Sequence, residues 1–203
     1  MDNGPVDSTV ISFGLRTALL VVDIQNDFAD PGGSLYVRGA EALVERANAY
    51  VRLAREAGAT VAYSQDWHPA HTPHFAQDGG TWPVHCVADT WGAQFVPDLM
   101  VEGPVFRKGT GGEDGYSAFS MRDVGSGEIT ATGLAHALSV ADVGELVVCG
   151  IATDYCVKET ALDAIGIGYG VVVPTDAVRA VDLHAGDGDR ALEAIGRAGG
   201  RCV

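Results

Sequence analysis

The chain has 203 residues, of which 47% are hydrophobic and 20% charged, with 27 glycines and a formal net charge of −14. That size is enough for one core-forming domain spanning residues 1–203, and the negative charge argues against nucleic acid or an anionic membrane as a partner. No apolar run approaches the ~20 residues of a membrane span, Met1 to Gly14 shows no basic region followed by an apolar core, so that no signal peptide is expected, and the four cysteines form no CxxC pair, so a cytoplasmic protein with free thiols is expected.

Residues 1–15 read as a loosely held leader. Thr17 to Asp23 is a continuously apolar strand that ends in an acid, as a central parallel strand does. The polar cluster Gln25-Asn26-Asp27, Phe28 and a Pro-Gly turn follow. From Ala40 to Glu56 the pattern is helical, with Leu43, Ala47, Val51 and Ala54 on one stripe and Gly58 as a C-cap. Thr60 to Ser64 is a second strand, running into Asp66 and His68. Residues 65–103 show no sustained period, and a loop this long in a compact domain is usually functional. Val105 to Lys108 is a short third strand, and Thr110 to Gly115 is a glycine-rich acidic loop. A helix around 134–141 precedes a buried strand at 145–149. Gly150 to Val157 hands that strand over to a helix reaching about Ile165. Tyr169 to Val173 is a fifth strand, Arg190 to Arg197 a last helix, and Arg201 to Val203 a short final strand. Strands alternating with helices predict a three-layer α/β/α fold around a mostly parallel sheet of about six strands.

Three strands run into a reactive residue: Asp23, Lys108 and Cys156. In a parallel sheet the carboxyl ends of the strands share one edge, where ligands bind. An acid, a cation and a thiol can therefore converge there. The thiol would serve as nucleophile, the carboxylate as proton carrier, and the ammonium would favour both anions. Each residue alone has a plainer reading, as a cap, a solvated lysine or a core cysteine; three at matching strand ends carry more weight. A second constellation is Asp66-x-His68 with His85, where an acid and an imidazole two apart in extended backbone project to one side. One carboxylate with two or three imidazoles suits Zn²⁺, Fe²⁺ or Mn²⁺. His71 and His74 are further candidates for a ligand or supporting role; a core or loop histidine is the plainer alternative for any one of them.

The stretches Val21 to Phe28, Asp66-Trp67-His68 with Trp82 to Val87, Phe106 to Gly109, and Gly150 to Val157 resemble, in order, the motifs of the nicotinamidase branch of the isochorismatase-like cysteine hydrolases. The resemblance runs from about residue 17 to 175. It implies a catalytic triad of Asp23, Lys108 and Cys156. It implies metal ligands Asp66, His68 and His85, with His74 matching the further histidine of some members, while His71 stays a loop histidine. A cis peptide at Ile151–Ala152 is implied, with the Ala152 and Cys156 amides as an oxyanion hole. Phe28, Trp82 and Tyr116 match positions lining the substrate pocket, with core packing the alternative; Tyr155 matches a variable position and is given no role. The implied activity is hydrolysis of nicotinamide, or an analogue such as pyrazinamide, to the acid and ammonia, with one divalent metal ion positioning the ring. A homo-oligomer is left open. The nearest rival is an amidase of the same superfamily acting on a ureide or N-carbamoyl compound; those relatives generally lack the Asp-x-His metal motif. An isochorismatase-type ether hydrolase would leave Cys156 idle, and a dead metal-binding scaffold would have no use for the intact triad.

Overall fold

The computed structural model describes residues 11–203. The first ten residues of the expected leader lie outside the described residues, while Ile11 and Phe13 pack against the core. The elements in chain order are β1 (Thr17–Val22), α1 (Asn26–Ala29), α2 (Leu43–Glu56), β2 (Thr60–Asp66), β3 (Val105–Lys108), β4 (Ser120–Arg122), β5 (Ile129–Ala131), α3 (Leu134–Val140), β6 (Glu145–Ile151), α4 (Lys158–Gly166), β7 (Gly170–Val173), β8 (Val178–Arg179), α5 (Asp187–Arg197) and β9 (Arg201–Cys202). Among the described residues the main sheet has seven strands. Its order is β3-β2-β1-β6-β7-β9, with β8 pairing beside β6, and every pairing in it is parallel.

Alternation along the central strands splits the core into two layers. From β1, Leu19 and Val21 face the side covered by Leu43, Ala47, Val51 and Ala54 of α2. That stripe is the one the helical period predicts. Ala18, Leu20 and Val22 face the other side, where Leu134 and Leu138 of α3, Ala161 and Ala164 of α4, and Ile195 of α5 pack. Both faces are covered, which explains why β1 and β6 read as unbroken apolar runs. The chain adds β2 and β3 on one side of β1, then crosses to build β6, β7 and β9 on the other. The strand order therefore reverses between β1 and β6, the place where parallel sheets of this kind form a ligand crevice.

The close approach of β1 and β6 depends on Gly150. Its φ is +119°, and a Cβ there would lie 2.1 Å from the Val22 carbonyl oxygen. Between β2 and β3 the long segment contains only a 3₁₀ turn, Ala76–Asp78, and isolated bridges such as His68 with Val87. No helix among the described residues is long and apolar enough to cross a membrane.

Candidate active site

Asp23 follows β1, Lys108 ends β3, and Cys156 lies just past β6, all at the carboxyl edge of the sheet. Register brings the strand ends level: Val22 pairs with Ser64 and with Gly150, and Asp66 with Lys108. Asp23 sits at φ +49°, where the chain leaves the strand sharply. After β6 the backbone passes through a cis Ile151–Ala152 bond into a π-helical turn, Thr153–Val157, that holds Cys156 ahead of α4. The cysteine is thus on a one-turn π segment, in the hand-over from strand to helix where the sequence puts it, and the helix begins at Lys158.

The three side chains meet. Lys108 Nζ is 2.8 Å from Asp23 Oδ2 and donates to Cys156 Sγ at 3.5 Å. It also donates to Asp66 Oδ1 and to the Gly115 carbonyl. Ser64 Oγ donates to Asp23 Oδ1 at 2.7 Å. Asp23 and Lys108 are wholly inaccessible to solvent, so their charges are tolerated only because they neutralise one another. Burial opposes the Lys108 charge, but the Asp23 and Asp66 carboxylates push its pKa well above the ordinary lysine value. Burial raises Asp23, and Lys108 only partly offsets it. Burial also pushes the Cys156 thiol up; Lys108 pulls it down, while Asp23 and Asp66 add to the rise. Two carboxylates against one ammonium leave an excess of negative charge, which adds to the effect of burial on the thiol. An oxygen of Asp23 and an oxygen of Asp66 each lie within 4.8 Å of Cys156 Sγ. A raised carboxyl beside a thiol is an arrangement suited to passing one proton between them.

Asp66 joins this cluster to a second one. One of its oxygens takes the Lys108 ammonium; the other, Oδ2, is 3.6 Å from His68 Nε2 and 3.8 Å from His85 Nε2. Burial works against its charge, but Lys108 and the His68 ring hold its carboxyl far below the usual range. Its backbone is pinned by Gln25, whose side chain donates to the Asp66 carbonyl and accepts from the Asp66 N–H, both at 2.8 Å. His68, His74 and His85 are all buried and each brings a ring nitrogen within 4.8 Å of the others. His85 Nδ1 is 2.7 Å from the Pro83 carbonyl; since that oxygen can only accept, the Nδ1–H donates and Nε2 keeps its lone pair. Burial lowers His74, and it pushes His85 down to about 4, which keeps both rings in the neutral, ligating form.

The donor set fits a divalent cation. Both ring nitrogens of the fully buried His68 lack a hydrogen-bond partner, which is costly unless something else uses a lone pair. The His68 ring also packs against Gly109, where φ is +73° and a Cβ would lie 2.4 Å from His68 Cε1. Three imidazoles and one carboxylate oxygen suit Zn²⁺, Fe²⁺ or Mn²⁺ alike. His71 lies apart from this cluster, exposed, with Nδ1 3.2 Å from Asp78 Oδ1.

Asp66, His74, His85, Ala152 and Cys156 line a single pocket. Phe28, Trp82 and Tyr116 line it too, and so does Tyr155. Trp82 Nε1–H donates to Tyr116 Oη at 2.8 Å. Tyr155 stands edge-on to Trp82 with centroids 4.9 Å apart and stacks near Tyr116 at 6.0 Å. Four aromatic rings thus make a wall suited to a flat heterocycle. Tyr155 carries no motif signal, and neither do Ser64 or Asp114, which hydrogen-bonds His74. The sequence assigns Tyr155 no role, and its place in the pocket wall emerges only from the structure.

A family model for the isochorismatase domain matches residues 17–201. The chain belongs to the isochorismatase family. Among curated family members it is similar to the nicotinamidase of Escherichia coli (strain K12), with 39% identity over 200 residues covering 90% of this chain and 92% of that protein. Among solved structures it is similar to the pyrazinamidase of Pyrococcus horikoshii in complex with zinc, with TM-score 0.82 and 39% identity over 93% of this chain and 98% of that one. It is also similar to PnC1 from L. infantum in complex with nicotinate, with TM-score 0.86 and 35% identity over 95% of each chain.

Proposed function

We propose that this protein is a nicotinamidase, hydrolysing nicotinamide to nicotinate and ammonia through a thioester on Cys156. The observation that carries the reading is Asp66, one carboxylate that faces a buried lysine–thiol–acid cluster with one oxygen and, with the other, two of the three clustered imidazoles, His68 and His85. It puts a nucleophile and a metal-type donor set in one aromatic-walled pocket. The names of the relatives, nicotinamidase and pyrazinamidase, support the same substrate class, as does the nicotinate in the complex of one structural relative.

The ring lies among Phe28, Trp82, Tyr116 and Tyr155, with its carboxamide at Cys156. Asp23 takes the thiol proton as sulfur attacks the carbonyl carbon. Lys108 limits the negative charge that gathers as the thiolate forms. The backbone amides of Ala152 and Cys156 receive the oxyanion. Asp23 returns the proton to the leaving nitrogen, and ammonia departs as the C–N bond breaks. Asp23 then accepts a proton from water, which adds to the thioester carbonyl and releases nicotinate, and the thiol recovers its proton. A divalent cation held by Asp66, His68, His85 and His74 would supply Lewis acidity toward the pyridine nitrogen, orienting the ring rather than attacking the carbonyl. Four free cysteines fit a reducing cytoplasm as the working compartment.

Ammonia release tests the reading. The wild type releases ammonia from nicotinamide, and Cys156→Ala binds nicotinamide but does not turn it over. A wild type that is inert on nicotinamide yet active on a ureide or N-carbamoyl compound overturns the substrate. Substantial turnover by Cys156→Ala overturns the nucleophile.

A further inference from the structure

The glycine-rich acidic loop from Thr110 to Gly115 matches no chemical motif, yet its last two residues and the Tyr116 that follows touch three parts of the pocket. Asp114 Oδ1 is 2.5 Å from His74 Nδ1. The Gly115 carbonyl accepts from Lys108 Nζ. Tyr116 Oη accepts from Trp82. Asp114 is held in place by its backbone: its N–H donates to the Arg122 carbonyl at 2.8 Å, and its carbonyl accepts from the Arg122 N–H at 3.0 Å. A second tie runs through Thr72. Its Oγ1 donates to the Gly112 carbonyl at 2.7 Å and accepts from the His74 N–H at 3.2 Å. The loop and the His74 segment are therefore fastened to each other at two points.

A neutral imidazole has one N–H and one lone pair, and the partner of one nitrogen decides the role of the other. An ionised carboxylate only accepts, so His74 must place its proton on Nδ1 and keep the lone pair on Nε2. We propose that Asp114 is a positioning residue whose carboxylate fixes His74 in the ring orientation and tautomer that offer Nε2 to a divalent cation shared with Asp66, His68 and His85. This rests on the metal reading proposed above. Metal ligands hold their affinity through such outer partners, and losing one costs about 10–100-fold in metal affinity. His85 has the same arrangement with a neutral partner, the Pro83 carbonyl; His74 has a charged one.

The test measures Zn²⁺ affinity of metal-stripped, full-length protein by competition with a chromophoric chelator, and needs no turnover. His74→Ala and Asp114→Ala should each weaken Zn²⁺ binding, Asp114→Ala by about 10–100-fold. Asp114→Asn keeps an acceptor oxygen and should recover most of the loss. The double variant should bind no more weakly than His74→Ala alone, because both changes remove one ligand. The Asp114 side chain is 31% exposed, so its truncation opens no sealed cavity. If Asp114→Ala nevertheless fails to fold, ¹⁵N NMR of the wild-type His74 ring decides, with a proton on Nδ1 supporting the proposal and one on Nε2 overturning it. Unchanged affinity in Asp114→Ala, or losses that add in the double variant, overturns the proposal while His74 stays a ligand. Unchanged affinity in His74→Ala removes His74 from the metal set, and the proposal falls with it.

Discussion

Replacing Lys108 with Met removes the one ammonium from a fully buried cluster and keeps nearly the same volume. The ammonium lies 2.8 Å from Asp23 Oδ2 and also contacts Asp66 Oδ1. At that separation, with an effective dielectric constant of about 20, a single pair is worth roughly 6 kcal/mol of gross attraction. Much of that is offset by desolvation, and breaking a buried pair typically costs about 3–5 kcal/mol because the partner charge stays behind. Here two carboxylates stay behind, so the loss should fall in the upper part of that range. Urea unfolding of the metal-free protein at neutral pH is the assay, comparing midpoint and slope with wild type. The sign of the pH dependence follows from Asp66. Its folded-state pKa lies below its unfolded value, so its contribution is present above the ordinary carboxylate range and fades as pH falls toward and below about 4. The stability gap between wild type and Lys108→Met should therefore narrow on acidification. A variant within about 1 kcal/mol of wild type at neutral pH would refute the reasoning, since such a value belongs to solvent-exposed pairs.

Gly150→Ala should destabilise the fold severely, by more than about 3 kcal/mol, through strain at a positive φ and displacement of β1 from β6; a thermal melt within a few degrees of wild type would contradict this. Trp82→Phe keeps a ring in the wall but removes the donor to Tyr116. It should raise KM for nicotinamide several-fold, in line with the roughly 0.5–1.5 kcal/mol of one hydrogen bond, with kcat changing less. Limited alkylation followed by peptide mapping should modify Cys156 in the pocket and spare Cys86 and Cys149, which are fully buried away from it, and nicotinate should protect Cys156. Chelation should abolish turnover and added Zn²⁺, Fe²⁺ or Mn²⁺ should restore it; activity unaffected by exhaustive chelation would remove the metal from the account.

Much of the fold was legible because its signals are local. The stripe Leu43, Ala47, Val51 and Ala54 is a helical period, and Thr17 to Val22 is the unbroken apolar run of a central strand. The gathering of Asp23, Lys108 and Cys156 followed from one topological rule, that parallel strands end at a common edge. What stayed hidden depends on side-chain geometry between distant segments. Asp66 reads as a metal residue beside His68, but nothing in its neighbourhood signals that its other oxygen takes the Lys108 ammonium, so two constellations in the sequence are one in space. Ser64 closes the apolar run of the second strand, and its bond to Asp23 spans two strands. Asp114 sits in a loop whose composition announces only turns. The small elements were missed for a related reason: α1, the β4–β5 hairpin and β8 span two to four residues each, too short for a period to emerge.

The central claim is a covalent thioester on Cys156, and hydroxylamine tests it most directly. During nicotinamide turnover, added hydroxylamine should intercept the acyl group and form nicotinohydroxamate at the expense of nicotinate, in a ratio that rises with hydroxylamine concentration, while Cys156→Ala forms none. Brisk hydrolysis of nicotinamide that never diverts to hydroxamate, or hydroxamate formation that survives Cys156→Ala, would contradict it.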